Sequence, residues 1–130
     1  MSLSRFLIFG FGALVTLNGC TPFSSNIRLG NTQDTFSLRD VREASQTIRV
    51  VPSVPPGASV IGTVEASRCH RSLVEGEPTN EIVTQDLVIA AYARGADGIA
   101  DIKIEKVSAL SRNCWYALDA TATAFKDAAK

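Results

Sequence analysis

Over residues 99–107 apolar and charged side chains alternate: Ala100, Ile102 and Ile104 fall to one side, and Asp101, Lys103 and Glu105 to the other. A period of two marks a strand with one face buried and one in water. It commits the chain to a sheet that is covered on one side. Residues 115–125 repeat the pattern with smaller side chains. There Tyr116, Leu118, Ala120, Ala122 and Ala124 line one face, and Thr121 and Thr123 the other. An alanine face leaves room for a helix to lie close, and a helical stripe of Val83, Leu87, Ala90 and Ala91, flanked by Val88, precedes these strands. Thr79 or Asn80 is placed to cap that helix, and Glu81 sits in its first turn, where the dipole favours an acid. Gly95, directly after Arg94, holds the position of a left-handed C-terminal cap. The alanines of helix and last strand are expected to meet.

Upstream, residues 47–51 form a short β-branched strand stopped by Pro52, Pro55, Pro56 and Gly57. Residues 59–69 follow as a second strand, with Val60, Gly62, Val64 and Ala66 on one face. Gly62 marks a bulge or a close backbone approach. The order strand, strand, helix, strand, strand predicts an α+β fold: a single small domain over residues 47–130, one helix on a small, mostly antiparallel sheet. The uncovered sheet face is where a partner would bind.

The N-terminal segment sets the compartment. After Arg5, residues 6–17 are apolar apart from Gly10, Gly12 and Thr16. The run is too short for a bilayer core, which takes about 20 residues, but suits the hydrophobic region of a signal peptide. Leu17-Asn18-Gly19-Cys20 resembles the bacterial lipobox. That resemblance implies a lipoprotein signal peptide over residues 1–19 and a lipid-bearing Cys20, with diacylglycerol on the sulfur and palmitate-type acyl chains. Each buried CH₂ of such chains contributes ~0.8 kcal/mol to anchoring. Thr21, in place of Asp, implies sorting to the outer membrane. Residues 20–46 are polar, with isolated Phe23, Ile27, Leu29, Phe36 and Leu38, and read as a flexible tether with a weak helical turn around residues 37–44. A coil of that length reaches about 25–30 Å, which would let the domain stand off the membrane.

Composition excludes several roles. The chain carries 13 basic and 13 acidic residues with no basic stripe, so a nucleic-acid partner has no electrostatic footprint. Of its 3 cysteines, Cys20 is assigned to lipid, and Cys69 and Cys114 form an even pair in an oxidising compartment, which reads as a disulfide. Neighbouring Cys69 and His70 point to opposite faces of a strand, so a metal site with Cys114 is not expected. No cofactor beyond the lipid on Cys20 is implied. His70, the sole histidine, reads as an exposed strand-end residue. Without a Ser-His-Asp spacing, a carboxylate pair or a phosphate-cradling Gly loop, neither an enzyme nor a small-molecule substrate is expected. Trp115 and Tyr116 alternate across their strand, so one is expected in the core and the other at a partner contact.

Three stretches carry a resemblance: Ile61-Gly62-Thr63-Val64-Glu65-Ala66-Ser67-Arg68-Cys69, Ala93-Arg94-Gly95-Ala96-Asp97-Gly98-Ile99, and Asn113-Cys114-Trp115-Tyr116-Ala117. They resemble the RcsF family of outer-membrane lipoproteins, sensors of the Rcs envelope-stress phosphorelay. The likeness covers residues 48–130, and Cys69 and Cys114 fall on that family's long-range disulfide. The positions nearest its second disulfide hold Glu105 and Ala120. What the resemblance implies is a stress sensor that feeds a phosphorelay by protein contact, with a barrel protein and an inner-membrane regulator as candidate partners. The domain would lie in the periplasm or at the envelope surface. A binding or scaffolding lipoprotein without signalling is the other expectation.

Overall fold

The computed structural model describes residues 27–29, 36–74 and 76–128. The signal peptide read at 1–19, Cys20, and residues 20–26 and 30–35 of the tether lie outside the described residues. The elements are β1 (Ile27–Leu29), α1 (Leu38–Thr47), β2 (Arg49–Val50), β3 (Ser59–His70), α2 (Asn80–Ala93), β4 (Gly98–Ser108), a 3-10 turn (Leu110–Arg112) and β5 (Tyr116–Lys126). The sheet order is β1-β3-β5-β4-β2. β5 is central and antiparallel to both long neighbours, with His70 and Ser108 each in register with Tyr116. β2 is parallel to β4, pairing Arg49 with Gly98 and Val50 with Ile99. The fold is α+β, as the periodicity predicts, but the sheet is mixed and carries two helices where one was expected. A Cβ at Gly98 would lie 2.9 Å from the Arg49 carbonyl oxygen and inside the Phe125 ring, so only glycine fits where β2 joins.

α2 forms where its caps place it. The Thr79 hydroxyl accepts the Ile82 N–H at 3.3 Å. At the other end Gly95, at φ 69°, closes the helix. Its N–H donates to the Tyr92 carbonyl at 2.9 Å, and the Ala96 N–H to Ala91 at 3.1 Å, the paired bonds of a Schellman turn. The expected meeting of alanine surfaces occurs: Ala91 shares one buried cluster with Ala120, Ala122 and Ala124, and Ala90 packs against it.

Two bulges shift the strand phases. β3 slips register between Val60 and Gly62, which turns Val60 to the face opposite Val64 and leaves it exposed. In β4 the slip lies between Ala100 and Lys103, around Asp101 at φ 52°. Ala100 pairs with Thr123 and Ile104 with Ala120, so the alternation read across residues 99–107 changes face at Asp101.

The largest difference from the sequence expectation is in the tether. α1 is a full helix, and β1 adds a strand to β3 through Ile27↔Arg68 and Leu29↔Ala66. The folded domain therefore extends N-terminal to residue 47 and includes residues 36–46. Ser37 caps α1 reciprocally: its hydroxyl accepts the Asp40 N–H at 3.2 Å, and the Asp40 carboxylate accepts the Ser37 N–H at 2.9 Å. Phe36 and Val41 hold the positions of a hydrophobic staple, and both pack on the core that buries Ala44 and Ile48. Tyr92 then donates its hydroxyl to Glu43 at 3.2 Å and ties α1 to α2.

Replacing Ser37 with Ala should lower stability by about 1 kcal/mol in urea denaturation. A tether without structure would show no change. Hydrogen bonds from the Ser37 hydroxyl, and then from its backbone, hold the Asp40 carboxyl below its ordinary value. Their contribution is present at neutral pH and lost as pH falls below about 4, so the difference between variant and parent should shrink in acid.

Candidate functional site

The ends of β3 and β4 and the start of β5 meet at one end of the sheet, where His70, Tyr116 and Ser108 stand side by side. The connection from β4 to β5 folds back on itself there. The Ala109 carbonyl accepts from the Arg112 and Cys114 N–H groups at 2.9 and 3.1 Å, with Asn113 left-handed at φ 57°. The Trp115 N–H then donates to the His70 carbonyl at 2.9 Å. A disulfide joins Cys69 to Cys114 across a Cα separation of 5.7 Å. By the pairing of Cys69 with Ala117 it lies on the sheet face away from α2, in a small cluster with Ala109, Ala117 and Val107.

The same loop is clipped to the sheet by charge. Arg112 donates to both carboxylate oxygens of Asp119 at 3.2 and 3.0 Å and to the Ser67 hydroxyl at 3.3 Å. Partial burial alone would raise the Asp119 pKa, but the hydrogen bonds from Arg112 and Ser67, with the Arg112 charge, outweigh it and hold the carboxyl below its ordinary value.

His70 is buried, contrary to the expectation of an exposed strand end, because the returning loop closes over it. Its ring lies edge-on to Trp115 at 5.7 Å and tilted against Tyr116 at 5.0 Å. Its Nδ1 has no hydrogen-bond partner among the described residues. Neither Trp115 nor Tyr116 enters the core, which corrects the expectation for that pair. Trp115 precedes β5 and is half-exposed, while Tyr116 is half-buried with the Lys106 ammonium 3.7 Å from its ring centre. Among the described residues no three His, Cys, Asp or Glu side chains gather as metal ligands.

Beside the disulfide an open cleft of about 290 Å³ is lined by Arg71, Leu110, Asn113, Cys114 and Trp115. The Arg71 Nε–H points at the Cys69 sulfur, 3.4 Å away. Around this end Leu73, Val74, Leu110 and Trp115 are 85, 96, 74 and 49 % exposed. Sequence reasoning singled out Trp115 but not its neighbours, since an aliphatic residue in a polar loop gives no periodic signal.

Sequence reasoning also missed a buried ion pair beneath α2. Arg68 donates two hydrogen bonds to Asp86, from Nε at 2.5 Å and Nη2 at 2.9 Å. Burial pushes the Asp86 carboxyl up, and the hydrogen bonds and charge of Arg68 offset part of that rise. The signal in the sequence is an acid set inside an apolar stripe, next to Leu87 and Val88.

Compared with known proteins, the chain matches no protein-family model and no curated protein.

Replacing Cys69 and Cys114 together with Ser should lower stability by ~4 kcal/mol, from the loop-closure entropy of a 45-residue separation. Denaturation with and without reductant measures it. Replacing Arg68 with Met strands the Asp86 carboxyl and should cost about 3–5 kcal/mol, whereas Arg68→Met with Asp86→Leu should recover most of that loss.

Proposed function

We propose that this chain is an outer-membrane lipoprotein, held by lipid on Cys20, whose domain senses envelope stress and passes the signal by protein contact into a phosphorelay. The observation that carries this reading is the Cys69–Cys114 disulfide. It suits an exported domain, and it joins the two positions that the RcsF-like motifs imply. The reading requires no chemistry at a reactive centre, only a surface that a regulator can grip.

The sheet supplies such a surface. The buried cluster that holds α1 and α2 lies on the face of Val64, Ala120 and Ala122. The opposite face carries Thr63, Glu65, Lys103, Glu105, Thr121 and Thr123. No helix covers it among the described residues. Mixed charges on a braced sheet suit reversible docking, because charge complementarity raises association rates and fixes orientation.

The test is a stress reporter in the native host, with the gene deleted and then restored, under an agent that disrupts the outer membrane. Induction should vanish on deletion and return with the intact gene. It should fail to return with Glu65→Lys and Glu105→Lys together, although the purified variant keeps its melting temperature. Unchanged induction on deletion would reject the sensor and assign the module to binding without signalling.

A further inference from the structure

β1 brings the chain into the sheet at a telling place. Ile27 pairs with Arg68 and Leu29 with Ala66, so the start of β1 lies beside the end of β3 that leads to His70. Cys20 precedes Ile27 by seven residues, which extend at most about 25 Å. A lipid on Cys20 would therefore lie within about 25 Å of the start of β1, the edge of β1 that faces this end of the sheet. It could not lie at the far end of a long tether.

Among the described residues four of the nine exposed large apolar side chains lie at the same end, while Val50, Val60 and Ile61 lie at the other. Leu73 and Val74 follow the last residue of β3 by three and four positions. Leu110 and Trp115 belong to the loop between Ser108 and Tyr116, the pair in register with His70. Single exposed apolar residues are ordinary, but several gathered on one tip mark a contact surface. The mixture here is a Trp, three aliphatics and an Arg. Indole rings settle at headgroup level, aliphatic residues reach the acyl boundary, and a guanidinium extends to phosphate. The charges at the tip are mixed: Arg71 lines the cleft, Lys106 sits on Tyr116, Arg112 is engaged by Asp119, and Glu77 acts on the Tyr116 hydroxyl.

We propose that this tip docks on the bilayer that anchors the chain, with Trp115, Leu110, Leu73 and Val74 in the headgroup region and Arg71 against a lipid phosphate. The proposal rests on lipid attachment at Cys20. It places the long strands pointing away from the membrane and leaves the polar sheet face open at the side.

The chain contains 1 tryptophan, so the docking site carries its own probe. The full lipidated protein, isolated from membranes, is reconstituted into phosphatidylethanolamine–phosphatidylglycerol vesicles, and flotation and Trp115 fluorescence are read together. Docking shifts the emission to the blue, makes it quenchable by acyl-brominated lipid and shields it from acrylamide. Leu73→Ser with Val74→Ser, in an exposed loop, should lose most of the lipid quenching and still float, with unchanged circular dichroism. Protein that floats while Trp115 stays open to acrylamide and blind to brominated lipid overturns the docking and leaves the anchor standing, with the tip free for a protein partner. Protein that does not float overturns the Cys20 reading, and the docking with it.

Discussion

The architecture depends on how closely α2 can approach β5. Ala120, Ala122 and Ala124 offer the helix a face with almost no side-chain height, and Val64 and Ala66 extend it onto β3. Small side chains let backbones approach, and the larger apolar residues of the helix, Val83, Leu87 and Val88, then fill the space around the contact. Close packing of this kind tolerates little added volume, because an extra methylene must displace a neighbour. α1 has no such face of its own. It is held through α2 and the edge of the same core, by Phe36, Val41, Ala44 and Ile48. The contact that seats α2 thus decides whether residues 36–47 fold at all.

That hierarchy explains what could be read in advance. α2, β3, β4 and β5 show their period or their caps over nine residues or more, and the structure places their ends within one or two residues of the expected ones. α1 was harder, since its composition is polar and only one residue within it is fully buried. Its signal was local: Phe36, Ser37, Asp40 and Val41 spell a staple and a capping box, but a ten-residue helix is marginal without the tertiary contact that stabilises it. β1 has three residues and no period to display. The bulges at Gly62 and Asp101 were legible only in part, because glycine advertises a left-handed site and aspartate does not.

At the candidate site, legibility followed distance along the chain. The disulfide could be inferred from cysteine count and compartment. The burial of His70 could not, because it depends on a loop from forty residues further on returning through Trp115. The Arg68–Asp86 pair has the same character: the apolar stripe marks Asp86 as out of place, but only the packing of α2 over β3 shows that Arg68 is its partner. A buried, bidentate ion pair is weak evidence of stability, since its desolvation offsets much of its attraction. What the pair does show is a direct contact between layers: Asp86 of α2 meets Arg68 of β3 through two hydrogen bonds.

The tip and the polar sheet face are joined by the same small set of bonds. The disulfide ties the Trp115 loop to the end of β3, and Arg112 ties it to Ser67 and Asp119 on the sheet face away from α2. A loop held only by its own backbone would absorb a push at Trp115 by local rearrangement. One stapled at Cys114 and clipped at Arg112 is tied directly to β3 and β5, the strands that carry Glu65, Thr121 and Thr123. Were the tip seated on a bilayer as proposed, the face of Glu65 and Thr121 would be held at a fixed position beside it.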